Sequence, residues 1–143
     1  MSDKVVKALQ IFNNGFSCSQ AVIGAFCEDY GIDEQTAMKF SAGFGGGFRC
    51  GEVCGAVSGA VMVIGLKYGQ YLPNDSDSKA KCGEATKQYM KEYKNRNKSF
   101  ICREILGYDP LNKEEATKFA NEKRAKCSNA IEIAVSILED MGY

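Results

Sequence analysis

The chain contains no histidine and no tryptophan. Without histidine, Cys–His and Ser–His catalysis, histidine-ligated zinc and CxxCH haem attachment are excluded together. Net charge is also missing, because 18 lysines and arginines balance 18 aspartates and glutamates. Neutrality argues against a generic nucleic-acid or polybasic membrane surface, and it favours self-association into a homo-oligomer. Alternating Val/Ile/Thr runs between turns are scarce, so strands are not expected. The most apolar stretch, Val53–Leu66, is too short to span a bilayer and is interrupted by glycines. It reads as a buried helix, and the protein as not membrane-embedded. The opening MSDKVVKALQ lacks the apolar core of a signal peptide, which places the chain in a reducing cytoplasm.

Cysteine is abundant, with seven in 143 residues. In a reducing compartment such usage points to metal binding or redox work rather than to a disulfide framework. The length and the 45% hydrophobic content suit one domain over residues 1–143 with one core.

Helical periodicity recurs along the chain. Val5, Leu9 and Phe12 form a stripe stopped by Asn13-Asn14-Gly15. Further helices are expected over Ser17–Tyr30, Glu34–Ala42, Gly51–Tyr68, Ser76–Asn95 and Ser99–Leu106. A last one, capped by Asn112, runs to Met141 with a break near Cys127. The predicted fold is all-α, a single-domain helical bundle around a buried glycine-rich central helix. Cys18-Ser19-Gln20-Ala21-Val22 echoes Cys127-Ser128-Asn129-Ala130-Ile131, so two helices each point a thiol at an apolar face.

The densest feature is GFGGGFRCGEVCGAVSG, Gly43–Gly59. Four-residue spacing places Gly51, Gly55 and Gly59 on one face of the central helix. Glycine there costs about 1 kcal/mol each against alanine, which close approach of a backbone or a bound group must offset. Cys54 falls in the first helical turn, where free amides and the dipole favour a thiolate, making it the candidate attacking thiol. Cys50 lies one turn earlier beside Arg49 and is a supplementary ligand. Helical i,i+4 geometry is poor for a Cys50–Cys54 disulfide, so metal ligation or pairing with a distant cysteine fits better. Cys27 is about half a turn around the helix from Cys18, so the two cannot share a site, and Cys27 and Cys82 read as small packing residues. Arg103, following Cys102, is placed to offset a thiolate. The run matches neither phosphate-binding glycine motif. Tyr89 and Tyr93 read as core-edge residues and the lysines of 79–98 as a solvated face.

These features, in this order, resemble a family of redox-active proteins named for a C…GCAxxG…C…C pattern. The matching residues are Cys18 in FSCSQAV, Gly51–Gly59 as GEVCGAVSG, Cys102 in ICREILG and Cys127 in KCSNAI. The resemblance implies an all-helical fold and a functional set of Cys18, Cys54, Cys102 and Cys127. Family members are often encoded near transporter genes. A similar domain accompanies haem in split-Soret-type cytochromes, where an iron–sulfur site has been suggested. Two classes of function follow. In the first, the four thiols bind an iron–sulfur cluster or zinc, or cycle with disulfides without a cofactor, in exchange with a redox partner protein. In the second, the chain is a non-redox, zinc-stabilised or simply cysteine-rich module associated with a transporter.

Overall fold

The computed structural model describes residues 1–143 and is all-α, with eight helices and no strands. They are α1 (Asp3–Asn13), α2 (Cys18–Phe26), α3 (Glu34–Ser41), α4 (Gly55–Tyr68), α5 (Ser76–Asn97), α6 (Cys102–Leu106), α7 (Lys113–Lys118) and α8 (Ala120–Asp140). Side-chain caps fix most of the starts. Ser2, Ser17, Asp33, Asp75 and Asn112 each accept from an amide in the first turn, and Ser17 with Gln20 forms a full capping box. A short 3₁₀ turn, Cys27–Tyr30, extends α2 to the left-handed Gly31.

The core lies between α1, α2, α4, α5 and α8. Its largest fully buried side chains include Tyr89, Tyr93, Phe26, Ile64, Ile131 and Leu138. Helix α2 is buried on nearly all sides and packs directly onto α4. Gly59 makes that contact possible, since a Cβ there would stand 2.7 Å from the Ser19 carbonyl oxygen and 3.1 Å from Val22 Cβ. Tyr89 and Tyr93 are fully buried rather than at the core edge, and Tyr89 Oη donates to the Ala134 carbonyl at 3.0 Å. Burying a tyrosine requires such a partner.

Three expectations are corrected. Gly51 is not in the central helix, which begins at Gly55 with Cys54 as its N-cap, so only Gly55 and Gly59 share its face. Gly51 has φ +78°, in the left-handed region that a helix interior forbids. The last helical stretch breaks at Phe119 rather than Cys127, because φ −104° and ψ +19° at Phe119 end α7 and start α8. The tyrosine assignment is the third.

Candidate functional site: four thiols on one cavity

The loop between α3 and α4 does not break the chain passively. After a 3₁₀ turn at Ala42–Phe44, four successive residues have positive φ: Gly46 (63°), Gly47 (62°), Phe48 (57°) and Arg49 (59°). This is a single left-handed turn, and two of its members are not glycine. Each non-glycine residue there costs about 1–2 kcal/mol relative to its ordinary conformation. The glycines are also required for space. A Cβ on Gly47 would lie 2.5 Å from the Glu52 amide nitrogen and 2.8 Å from Cys102 Cβ.

The turn feeds a backbone clamp that no local motif announces. Val53 and Ile101 form an isolated antiparallel bridge. The Cys54 amide donates to the Phe100 carbonyl at 2.8 Å, and the Cys102 amide to the Glu52 carbonyl at 2.6 Å. Segments 48 residues apart are thereby held side by side, with Cys54 entering α4 and Cys102 entering α6 at the same place. Cys18 is the first residue of α2, so three of the thiols sit where a helix begins. Cys127 comes from α8, opposite.

The outcome is one cavity of about 340 Å³ whose wall includes Cys18, Cys54, Cys102 and Cys127. Cys18, Cys54 and Cys102 are buried and Cys127 is half-buried. The other three cysteines do not line it. Cys27 is buried with its thiol toward the Gly24 carbonyl at 3.7 Å, Cys82 packs against the core from α5, and Cys50 is exposed with its sulfur 3.5 Å from the Gly47 carbonyl.

Within the cavity the thiols are not equivalent. Cys18 and Cys54 are neighbours, since the Cys18 sulfur stands where a Cβ on Gly55, the residue after Cys54, would lie. Interaction with the Cys54 thiol, with help from the backbone at Gly46 and Ser19, outweighs desolvation and lowers the Cys18 thiol to about 6. Cys54 is raised well above the ordinary thiol range by interaction with Cys18 and by burial. The amides of Ala56 and Val57 pull Cys54 down without prevailing. The two shifts are opposite in sign, so the pair favours one shared proton, with Cys18 the more acidic member. Burial and the Cys18 charge push Cys102 up to about 11 and Cys127 up to about 12.

Gly55 is what lets the pair form, because a Cβ at this position would overlap the Cys18 sulfur. Tyr93 supports it from α5: its hydroxyl donates to Cys54 Sγ at 3.9 Å and accepts from Asn97 Nδ2 at 3.1 Å. Sequence reasoning missed Tyr93. The only signal was its place on the apolar face of α5 in line with Cys82, Ala85 and Tyr89. Arg103 draws the Cys102 thiol downward against burial, while its guanidinium donates to the Gly51 carbonyl at 3.1 Å and pairs with Glu52 at 2.8 Å, locking the clamp.

Four thiolates are a suitable donor set for zinc or an iron–sulfur centre. The arrangement does not close into a coordination shell, however: no three of the Cys, Asp and Glu side chains are grouped closely enough to hold one metal ion. The sulfurs ring a cavity instead of meeting at a point.

The family model described as "Putative redox-active protein (C_GCAxxG_C_C)" matches residues 16–141. No curated protein and no solved structure matches the chain.

Proposed function

The chain belongs to the redox-active C_GCAxxG_C_C family, and from that premise we propose that Cys18 and Cys54 are its working couple, a dithiol that cycles with a disulfide. The observation that carries the reading is the packing of the Cys18 sulfur against Gly55, the residue that follows Cys54, on a cavity that both thiols line, with Cys18 the more acidic of the two. A thiolate is the attacking form in thiol–disulfide exchange, and the best attacker has a pKa near ambient pH. A resolving thiol must wait beside it, protonated until needed, which is the state of Cys54.

The roles divide as follows. The Cys18 thiolate attacks the disulfide sulfur of an oxidised partner, whose S–S bond breaks with release of one thiolate. Cys54 gives its proton to that thiolate and attacks Cys18 Sγ, releasing the second. Two electrons leave the couple, and the partner becomes two thiols once the second thiolate takes a proton from water. Tyr93 donates toward Cys54 Sγ and stabilises the negative charge that develops there. Apolar walls limit water around both sulfurs.

The test is equilibration of the reduced protein in thiol/disulfide buffers, followed by alkylation and peptide mapping. A two-electron transition that loses two hydrogens and links the Cys18 and Cys54 peptides is expected. A protein whose Cys18→Ser and Cys54→Ser variants keep the same transition overturns the reading.

A metal–thiolate site is the second reading, favoured by the placement of all four sulfurs on one cavity. Cys18, Cys54, Cys102 and Cys127 would hold the metal after moving inward, and Cys50 would remain outside. Anaerobic purification with metal analysis separates the two. Stoichiometric iron with sulfide absorbance supports a cluster, zinc alone supports a structural site, and a metal-free protein with a reversible disulfide supports exchange.

A further inference from the structure

The cavity carries a second feature that the cysteine chemistry does not use. Three cationic side chains line it, Arg49, Lys123 and Arg124, and no carboxylate does. None of the three belongs to any of the protein's five ion pairs. In a chain of zero net charge with 18 acidic residues, that local excess is not composition. Two of the groups are fixed in place. Arg49 is presented by the left-handed turn and donates to the Ala42 carbonyl at 3.3 Å. Arg124 donates to Asn13 Oδ1 at 2.7 Å and stacks over the Phe12 ring, 5.2 Å from its centroid. Lys123 stands close enough to Cys102 and Cys127 to draw both thiols downward against burial. Much of the remaining wall is apolar, including Ile105, Leu106, Pro110 and Ala130, with Ser17 beside the thiols.

A cationic rim over an apolar wall fits an organic molecule with an anionic end better than a bare inorganic oxyanion, which has nothing to place against Ile105 and Leu106. The volume is within the usual range for a small-molecule site, about 300–1,000 Å³. We propose that the cavity is a substrate site for small organic disulfides bearing carboxylates or similar anionic groups, with Arg49, Lys123 and Arg124 holding the charged end and the thiols reached by the sulfur end. This deepens, and rests on, the exchange reading above. The balance is the same: R–S–S–R is the oxidant, its S–S bond breaks, a mixed disulfide of Cys18 and R forms and is resolved by Cys54, and R leaves as one thiol and one thiolate, the latter protonated by water. Electrostatic focusing in a cleft raises the local concentration of such anions before any bond changes.

The experiment compares three disulfides of nearly equal size as oxidants of the reduced protein: 3,3′-dithiodipropionate (anionic), 2-hydroxyethyl disulfide (neutral) and cystamine (cationic). Rates are divided by those of a free small thiol to remove intrinsic reactivity. The dianion is expected to react at least tenfold faster than the neutral compound and faster still than the cation, with the margin shrinking as salt rises. In the triple variant Arg49→Gln/Lys123→Gln/Arg124→Gln the anion-to-neutral ratio falls about tenfold, whereas Lys81→Gln, on the far side of the molecule, leaves it alone. The three positions are exposed, and a thermal melt verifies that the variant folds. Equal rates for all three disulfides, or a ratio that survives the triple variant, overturn the anionic substrate class and leave the couple intact. Failure of every disulfide to oxidise Cys18 and Cys54 overturns the couple itself.

Discussion

Gly55 and the Cys18 sulfur occupy one place: the space a Cβ would take on the first residue of α4 is filled by the thiol of the first residue of α2. The surrounding atoms cannot yield easily, because Gly45 Cα at 3.0 Å and the Phe44 carbonyl at 3.1 Å are backbone. In Gly55→Ala the sulfur has to leave. The variant is expected to lose about 1–3 kcal/mol, as overpacked cores do. Because the sulfur is moved away from Cys54, whose interaction lowers it most, the Cys18 thiol should rise toward the ordinary range. Denaturant melts and the pH profile of alkylation read the two effects separately. An unmoved profile would disconnect the glycine from the thiol pair.

The pH behaviour of the pair has a definite sign. Cys18 is lowered from 9.0 to about 6, so its alkylation should rise with pH through a midpoint near 6 and then level off. In Cys54→Ala the midpoint is expected to move upward, because the group that lowers Cys18 most is removed while burial still disfavours the charge. For stability, a depressed folded pKa gives a contribution present above the unfolded value near 9 and lost as pH falls toward 6. Cys102 and Cys127 act oppositely. Raised to about 11 and about 12, they cost stability as pH climbs from 9 through those values. The reduced protein should therefore owe its cysteines most near pH 9. Chemical melts of the protein and of Cys18→Ser between pH 6 and 9 test this, and a constant difference between the two would refute it.

How much of this was legible in the chain depends on whether the determinant was local. Caps at Ser17, Asp33 and Asn112 and the apolar stripes are short-range signals, and they located the helices to within a few residues. The four cysteines were singled out by motif and resemblance, and all four reach one cavity. What the sequence hid was non-local or conformational. The Val53–Ile101 bridge joins two single residues and leaves no strand pattern. The four-residue spacing of Gly51, Gly55 and Gly59 imitated a helix through Gly51, whereas the backbone there is left-handed, and phenylalanine and arginine at positive φ give no warning. The acidity of each thiol depends on partners across the fold, which helix position alone does not give.

Tyr93 tests whether the core helix α5 takes part in the chemistry. Tyr93→Phe keeps the ring that fills the core and removes only the hydroxyl, whose hydrogen bond to Cys54 Sγ is long at 3.9 Å. The expected stability loss is about 0.5–1.5 kcal/mol. The diagnostic effect is kinetic. The first step belongs to Cys18 and should keep its rate. The second generates charge on Cys54 with one donor fewer and should slow several-fold, so the mixed disulfide accumulates. Quenched-flow mass spectrometry of a single turnover would show that species in the variant. A variant that slows both steps equally would make Tyr93 a packing residue only.

The left-handed turn offers the last test, since it sets both the clamp and the cavity rim. At Gly47, φ is +62° and a Cβ would press on Glu52 backbone atoms and on Cys102 Cβ. Gly47→Ala thus meets conformational strain and a clash together, and about 1–3 kcal/mol is the expected cost of the strain alone. Arg49→Gly is the counterpart: it removes a strained non-glycine residue at φ +59° and should gain stability from relief of the turn, against some loss from greater freedom of the unfolded chain. If strain at Arg49 is kept for function, this variant is as stable as the parent or more so, yet it loses part of the preference for anionic disulfides. Thermal melts and the anion-to-neutral rate ratio together decide the matter. A glycine variant that is markedly less stable would mean that Arg49 holds the turn through its side chain, and a more stable one with an unchanged ratio would mean that the strained arginine does not reach the substrate.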